Sequence, residues 1–293
     1  MTKIAIVGPG ALGCVFAARL ACGGARVFLV DHRADRAELL AREGVRVEEP
    51  DGTLLHEKPA IATQIPPGMD LVLVTVKAHA TRSLRLPPDA PVLTLQNGLG
   101  NVDTLCGMIG SARVLAGATS EAATLLAPGS VRHAAAGATV FGSWTSCPAD
   151  SALRAFQEAG FDARVTDTPG QVVWEKAAIN AGINPLTALL NVPNGRLLEI
   201  PETRELLRDL VMEAAKVAST EGYRFTRSLP EAAEAMCRAT SENLSSMLQD
   251  IRGGRRTEIE ALSGEIFRRA QAAALPAPRT RFVYQLVKGL EGR

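Results

Sequence analysis

The chain has 293 residues, 46% hydrophobic and 22% charged, which is enough for two globular domains with apolar cores. Lys and Arg total 32 against 31 Asp and Glu, so no overall field draws the chain to nucleic acid or to a membrane surface. Aromatic residues make up only 4%, which argues against base-stacking platforms. We therefore expect partners other than nucleic acids and membranes.

The cysteines and histidines predict neither a disulfide framework nor a metal site. The five cysteines form no CxxC pair and are odd in number, and the four histidines follow no metal-ligand spacing. This composition is typical of a reducing compartment, and we predict a cytoplasmic protein without a metal. The uncharged stretch 177–195 contains four Asn and two Pro, which favours a buried functional segment over a membrane span.

The first half of the chain alternates strands and helices, as a parallel α/β sheet requires. A strand at 3–7, a helix at 11–22 and a strand at 26–30 form a βαβ unit. Helices are also predicted at 35–43 and 151–160. Further strands are predicted at 70–76, 91–95, 114–118 and 163–165, with antiparallel strands within 131–142.

The second half shows helical periodicity. Helices are predicted at 171–183, 186–191, 202–221, 230–249, 256–274 and 279–290. The first two are separated because Pro185 should break or restart the helix. The turn at 167–170 sets the boundary between domains 1–168 and 169–293. The predicted fold class is an α/β Rossmann N-terminal domain followed by an all-α C-terminal domain.

The turn after the first strand matches the dinucleotide-binding pattern GxGxxG. Its residues are Gly8, Pro9, Gly10, Ala11, Leu12 and Gly13. The pattern follows a strand and opens a helix, which is the context that makes it specific. The glycines allow a tight turn and a close approach of the backbone to pyrophosphate, and the helix N-terminus favours negative charge. The sequence therefore predicts an NAD(P) site.

The choice between the two nicotinamide cofactors stays open from the residues alone. Asp31 ends the second strand, where a carboxylate would accept hydrogen bonds from the ribose 2′-OH and favour NAD. Arg33 and Arg36 follow, and guanidinium groups would bind a 2′-phosphate and favour NADP. The two arginines equally fit a solvated helix start.

Two further loops follow strands of the predicted sheet. Lys77 comes after the 70–76 strand and Asn97 after the 91–95 strand. Ligands of open α/β sheets bind at the carboxyl ends of strands, so Asn97 is a candidate for contact with the nicotinamide ribose or the substrate. Lys77, taken alone, is interpreted as a surface lysine.

The segment 174–187 is the most informative stretch of the second half. Lys176, Asn180 and Asn184 are spaced by four residues and share a helix face among Ala, Ile and Gly. An ammonium and two amides in an apolar setting suit an anionic oxo substrate, and a lysine can protonate the alkoxide that forms. A solvated surface helix with capping asparagines explains the same spacing equally well.

Five segments together resemble the ketopantoate reductase (2-dehydropantoate 2-reductase) family, over nearly the whole chain. They are GPGALG at 8–13, TVKA at 75–78, QNGLG at 96–100, WEKAAINAGINPLTALLNVPNG at 174–195 and ENLSSMLQDIRGGRRTEIEAL at 242–262. The last two are long and specific. One departure follows them: the family often reads Asp-x-Ile-Asn where this chain has residues 260–263, Glu-Ala-Leu-Ser.

The resemblance implies a Rossmann domain joined to a helical domain, and NADPH-dependent reduction of 2-dehydropantoate to (R)-pantoate in pantothenate and coenzyme A synthesis. It implies that Lys176 is the proton donor and that Glu258 and Lys77 lie beside the cofactor. The substrate contacts that it implies are Asn97, Asn180, Asn184, Asn194 and Ser246. The implied partner is a small 2-oxo acid, and the protein is expected to be a monomer or homodimer.

Two alternatives stand beside this function. One is a related NAD(P)-dependent reductase that acts on another small 2-oxo acid with the same chemistry. The other is a non-catalytic redox sensor that binds NAD(P), against which stands the lysine–asparagine–serine set, since a sensor would not need it.

Overall fold

The computed structural model describes residues 1–292, which form two compact units. The first contains residues 1–96 and 101–172, and the second contains residues 97–100 and the chain from Val173 onward. The first unit is α/β and the second is helical, so the predicted fold class is confirmed.

The first unit contains strands and helices in alternation over most of its length. The strands are β1 (Lys3–Val7), β2 (Arg26–Val30), β3 (Val45–Glu48), β4 (Leu54–Glu57), β5 (Ala60–Ala62), β6 (Leu71–Val74), β7 (Val92–Thr94), β8 (Val114–Thr119), β9 (Ala122–Ala127), β10 (Ser130–Ala135), β11 (Thr139–Ser143) and β12 (Ala163–Val165). The helices are α1 (Ala11–Cys22), α2 (Ala34–Glu43), α3 (Asn101–Ile109) and α4 (Asp150–Glu158).

The main sheet has eight strands in the order β12-β11-β8-β7-β6-β1-β2-β5. β1 pairs in parallel with β2 on one side and with β6 on the other. The chain therefore reverses its direction of winding at β1, and the carboxyl ends of β1 and β6 border the crevice in which ligands of such sheets bind. β1 is buried from Ile4 to Val7, as expected for a strand covered on both faces.

A second sheet has four strands in the order β4-β3-β10-β9, of which only β10 was predicted, within the antiparallel strands expected at 131–142. Its short strands mix polar and apolar residues, so their local signal is weak; α3 was missed as well. His133 of β10 lies between two carboxylates, Glu49 at 2.7 Å and Glu121 at 2.6 Å. This buried ionic set joins the strand to the chain before β9 and after β3.

The second unit is built from helices. They are α5 (Pro169–Leu190), which enters it from the first unit, α6 (Pro201–Thr220), α7 (Leu229–Ala239), α8 (Ser246–Arg252), α9 (Glu265–Ala272) and α10 (Pro278–Glu291). A single π turn, Glu260–Gly264, directly precedes α9. None of the described helices combines the length and apolarity needed to cross a lipid bilayer.

The predicted break at Pro185 is wrong, because α5 runs through it without interruption. A proline inside a helix costs about 3 kcal/mol through its missing N–H and its ring. Burial of α5 offsets that cost, since Ile183, Leu186 and Ala188 around the proline all lie in the core of the second unit. Tertiary packing therefore overrides the local rule.

The helices predicted at 230–249 and 256–274 differ from the observed helices. The first divides into α7 and α8, because the Ser245 hydroxyl accepts the N–H of Leu248 at 3.1 Å and begins a new helix. The second contains the π turn and α9, so it begins four residues later than predicted.

Candidate functional site

In the loop between β1 and α1, each glycine is required for a different structural reason. Gly8 has a φ of +108°, and a Cβ there would lie 2.7 Å from Cγ1 of Val76. A Cβ on Gly13 would lie 2.0 Å from the Gly8 carbonyl oxygen, so strand and helix pack too closely for a side chain. Gly10, by contrast, faces open space, and as N-cap of α1 it offers no side chain to the first-turn N–H groups.

This arrangement fits the pyrophosphate of a dinucleotide. The open side of Gly10 lets a ligand reach the backbone, and the uncapped N–H groups of a twelve-residue helix favour an anion. The hydroxyl of Thr75, just beyond β6, donates to the Gly8 oxygen at 2.8 Å and ties the loop to the neighbouring strand. Lys77 follows two residues later, partly buried, at the same edge of the sheet.

Asp31, at the end of β2, is engaged with neighbouring residues. Its side chain is 1% exposed, and it forms a bidentate ion pair with Arg36 of α2 in which Nη2 is 2.9 Å from Oδ1. The Arg33 N–H also donates to Oδ1 at 3.1 Å. The Arg33 guanidinium is 56% exposed and pairs with Asp35. The carboxylate is thus turned inward, and the surface at the end of β2 carries the arginines.

Lys176 lies on α5 in the second unit, one turn after the helix enters it. Its side chain is partly buried. Burial lowers the pKa of Lys176 from 10.5 to about 8, and the negative charge of Glu258 opposes the shift. A lysine in this state exchanges its proton near neutral pH, as a general acid must.

Glu258 and Asn97 lie together although they are far apart in the chain. The Asn97 amide Nδ2 donates to Glu258 Oε2 at 3.2 Å across 161 residues of sequence. Glu258 is buried, and its charge acts on Lys176. The structure therefore brings three of the sequence-predicted site residues into one cluster of the second unit.

The remaining predicted residues of α5 are aligned with the lysine. Asn180 and Asn184 follow Lys176 on one face of the continuous helix, and Asn184 is buried. The Thr187 hydroxyl, at the next turn, donates to Ser245 at 2.7 Å. Because Ser245 caps α8, this bond brings Ser246, the exposed first residue of α8, to the same end of α5.

Asn194 begins a 3-10 turn. Of its two side-chain polar atoms, only the nitrogen forms a hydrogen bond within the described residues. Its Nδ2 donates to the Thr240 hydroxyl at 2.9 Å, and that hydroxyl donates its own hydrogen to the Met236 oxygen at 2.7 Å. Thr240 therefore has to accept, which fixes the orientation of the amide. Asn194 Oδ1 is left buried without a donor among residues 1–292. A buried acceptor of this kind suits a ligand that donates a hydrogen bond.

Two contributors escaped the sequence analysis. In the sequence Ser245 is one serine of a polar run, and its cap of α8 and its bond to Thr187 distinguish it from Ser246 only in the structure. Ala261 holds the loop at Asn97 through its carbonyl oxygen, which accepts the Leu99 N–H at 2.7 Å. A backbone carbonyl leaves no signal in a sequence, whereas the serine at a helix start is a recognisable cap.

Two family models match the chain in succession. "Ketopantoate reductase PanE/ApbA" matches residues 4–146, and "Ketopantoate reductase PanE/ApbA C terminal" matches residues 170–291. Together they cover both units, and the resemblance inferred from the sequence motifs is confirmed.

Individual relatives extend over the full length. The chain is 38% identical to a 2-dehydropantoate 2-reductase of Halobacterium salinarum, over 98% of each chain. A ketopantoate reductase family structure from Ralstonia eutropha matches with a TM-score of 0.90 and 30% identity over 99% of each chain. A ternary structure of D-mandelate dehydrogenase with NADH and anilino(oxo)acetate matches with a TM-score of 0.92 and 26% identity, again over 99% of each chain. With these matches in both halves, the chain belongs to the ketopantoate reductase family of oxidoreductases.

Proposed function

We propose that this protein reduces 2-dehydropantoate to (R)-pantoate with NADPH, a step in pantothenate and coenzyme A synthesis. The observation that carries the proposal is the buried amine of Lys176, influenced by Glu258 and aligned with Asn180 and Asn184. Full-length relatives named 2-dehydropantoate 2-reductase support the choice of substrate. The same similarity throughout the chain favours a reductase over a redox sensor.

The Gly8–Gly13 loop and Lys77 would hold the cofactor's phosphates, and Asn97 and Glu258 would contact its nicotinamide end. A bound nicotinamide dinucleotide supplies the hydride. Lys176, as ammonium, donates a hydrogen bond to the C2 oxygen of the 2-oxo acid and then transfers its proton to that oxygen.

Side-chain amides and a hydroxyl group would orient the substrate. Asn180, Asn184 and Ser246 donate hydrogen bonds to the carboxylate and the oxo group, which keeps the carbonyl at the lysine. Asn194 differs from them because its free atom is an acceptor. It selects a substrate with a hydroxyl group, and 2-dehydropantoate carries one at C4.

A pair of matched substrates tests this assignment. 3,3-Dimethyl-2-oxobutanoate has the carbon skeleton of 2-dehydropantoate without the C4 hydroxyl. We expect kcat/KM for 2-dehydropantoate to be about 5- to 150-fold higher, because a buried acceptor left unpaired costs about 1–3 kcal/mol. Asn194→Ala should abolish the preference. Equal rates with both substrates in the wild type would contradict the assignment.

The preference for NADPH rests on the end of β2. Asp31 is buried against Arg36, so it is not presented to a ribose 2′-OH. The exposed guanidinium of Arg33, two residues farther on, can exchange its surface pair with Asp35 for a 2′-phosphate. We infer that the ion pair with Arg36 neutralises the carboxylate at the strand end, which would otherwise favour NADH, and leaves Arg33 as the exposed guanidinium for a 2′-phosphate.

Cofactor titrations test the preference with a matched control. Arg33→Ala should weaken NADPH binding at least about tenfold and leave NADH binding unchanged, since only NADPH carries the extra phosphate. Arg42→Ala, an exposed arginine farther along α2, should change neither. Tighter binding of NADH than of NADPH by the wild type would overturn the cofactor assignment.

A second candidate is an NADH-dependent reductase of a larger 2-oxo acid, favoured by the similarity to D-mandelate dehydrogenase in complex with NADH. Phenylglyoxylate, the oxo acid that corresponds to mandelate, belongs in the same substrate panel. Turnover of phenylglyoxylate with NADH above that of 2-dehydropantoate with NADPH would select this candidate. Dinucleotide binding without turnover of any 2-oxo acid would contradict both.

A further inference from the structure

The loop of residues 97–100, here called the Asn97 loop, packs backbone to backbone on the π turn Glu260–Gly264. The Leu99 N–H donates to the Ala261 oxygen at 2.7 Å. Gly98 has a φ of +82°, and a Cβ there would lie 2.5 Å from the same oxygen and 2.8 Å from the Ala261 Cβ. The contact therefore requires glycine at position 98 both for its backbone conformation and for space.

The same π turn also fixes Glu258. The Glu258 carbonyl oxygen accepts the N–H groups of Ala261 at 3.0 Å and Leu262 at 3.1 Å. The preceding residue, Thr257, is anchored on α10 because its N–H and hydroxyl both donate to Glu291, at 2.8 and 2.7 Å. Both partners of the Asn97–Glu258 hydrogen bond thus depend on one short segment. Single π turns inside helices occur often at functional sites.

Two other carboxylates of this region, Glu175 and Glu260, are paired with arginines. Glu175, beside Lys176 on α5, pairs with Arg227. Glu260, the first residue of the π turn, accepts from the Tyr284 hydroxyl at 2.8 Å and pairs with Arg268. The charge of Glu258, by contrast, acts on the Lys176 amine.

We propose that the backbone contact between Gly98 and Ala261 positions the proton donor's partner: it holds Asn97 on Glu258 and so keeps the Glu258 carboxylate beside Lys176. Gly98 and Ala261 are positioning residues, since they act through Asn97 and Glu258. This inference rests on the proposed reductase function only where it predicts an effect on the rate of reduction.

Two glycines of the Asn97 loop make a matched pair of variants. Gly98 and Gly100 have φ values of +82° and +80°, so an alanine at either position carries a similar conformational cost. The added Cβ of Gly98→Ala overlaps the Ala261 carbonyl. The added Cβ of Gly100→Ala meets nothing closer than 3.5 Å, at Cδ of Glu265. Their difference isolates the contact with the π turn.

Amide hydrogen exchange of the full chain, without ligands, measures the contact directly. We expect the Leu99 amide to be protected in the wild type and in Gly100→Ala, and to exchange at least about tenfold faster in Gly98→Ala. An unprotected Leu99 amide in the wild type would overturn the proposal. That wild-type measurement decides the contact even if Gly98→Ala does not fold.

Carbon-13 NMR of labelled lysine side chains measures the consequence at Lys176. The chain has six lysines, and Lys176→Arg assigns the resonance. Because the Glu258 charge raises the pKa of Lys176, Gly98→Ala should bring it below about 8, and Gly100→Ala should not. Asn97→Ala should give the same decrease, and the double variant no further decrease. Additive decreases would show independent effects and contradict the proposed chain of contacts.

Kinetics separate this inference from the proposed function. If the wild type reduces 2-dehydropantoate, Gly98→Ala should shift the alkaline limb of its pH profile downward and lower kcat more than it raises KM. If the wild type reduces no 2-oxo acid, the proposed function fails, while exchange at Leu99 and the Lys176 titration still decide the positioning role.

Discussion

At the scale of single residues, two opposing influences set the acidity of Lys176. Burial disfavours the ammonium, and Glu258 favours it, with a resulting pKa of about 8. A lysine of ordinary pKa would hold its proton too tightly to transfer it rapidly, whereas burial alone would lower the pKa of the amine further. Burial and the Glu258 charge together keep the amine protonated at neutral pH and able to transfer its proton.

The first prediction concerns turnover. Lys176→Ala should lower kcat by roughly 10²–10⁴, because a positioned general acid contributes that much. In the wild type, the rate of reduction should fall as pH rises through about 8, since the neutral amine cannot donate, and oxidation of pantoate should rise over the same range. Lys216→Ala, an exposed lysine of α6, serves as the control. Unchanged turnover in Lys176→Ala would remove the residue from this role.

The second prediction concerns stability. Because folding lowers the pKa of Lys176 from 10.5 to about 8, the unfolded chain binds more protons there between these pH values, and wild-type stability gains from rising pH. Below pH 8 the cost is up to about 3 kcal/mol. The stability of Lys176→Met relative to the wild type should therefore decline between pH 8 and 10.5, as measured by urea unfolding. A pH-independent difference, as expected for Lys216→Met, would count against the burial.

At the scale of elements, α5 and α6 approach closely at a glycine. A Cβ on Gly182 would lie 2.7 Å from Cγ2 of Val211 and 3.1 Å from the backbone oxygen of Leu207. The same helix carries Lys176, Asn180 and Asn184, so this packing helps to fix the predicted site residues. A local prediction misses it, because glycine inside a helix is unfavourable by itself.

The third prediction compares two helical glycines. Gly182→Ala should destabilise the protein by about 1–3 kcal/mol, because overpacking exceeds the gain in helix propensity. Gly289→Ala in α10 meets no atom within 4 Å and should stabilise by about 0.5 kcal/mol. Thermal unfolding of both variants is the measurement. A stabilised Gly182→Ala would show that α5 and α6 are farther apart than described.

The second sheet of the first unit offers a fourth prediction. Burial lowers the pKa of His133, but the hydrogen bonds that its ring N–H groups donate to Glu121 and Glu49 outweigh burial and raise the pKa above its ordinary 6.5. The stabilisation by the imidazolium is therefore complete below pH 6.5 and is lost as pH rises through the folded-state pKa. His133→Gln should cost about 3–5 kcal/mol at pH 6 and less at higher pH, by chemical unfolding. A constant cost would mean that the imidazole is neutral throughout.

At the scale of the whole molecule, two hydrophobic cores have no residue in common. One comprises residues of the sheet and its helices, including Ile4, Phe16 and Phe141. The other comprises the helical unit, including Trp174 and Leu210, and it also takes in Leu99 of the Asn97 loop. The Asn97 loop, which follows β7, therefore contributes Leu99 to the helical core.

The fifth prediction uses that assignment. Leu99→Ala should cost about 2–4 kcal/mol, because it leaves a cavity in the helical core. Hydrogen exchange should rise more in peptides of α6 and α10 than in peptides of β1 and β2. A larger rise of hydrogen exchange in β1 and β2 would contradict the assignment of Leu99 to the helical core.

Local pattern was sufficient for the first βαβ unit and the glycine loop. Their signals, an apolar strand, glycines at fixed spacing and a helix of period 3.6, all lie within about thirty residues. The alignment of Lys176, Asn180 and Asn184 was likewise readable, since helical spacing is itself local. Short half-polar strands such as β3 and β4 were not, because they depend on neighbours elsewhere in the chain.

By itself, then, the sequence determined the order of a dinucleotide-binding half and a helical half, and the residue types available for the chemistry. Only the tertiary structure decided which of them meet: Asn97 with Glu258 across 161 residues, Asp31 with Arg36, and α5 continuous through Pro185. The physical reason is range. Periodicity and turn chemistry act between residues a few positions apart, whereas burial, ion pairing and backbone contact depend on the packing of distant segments.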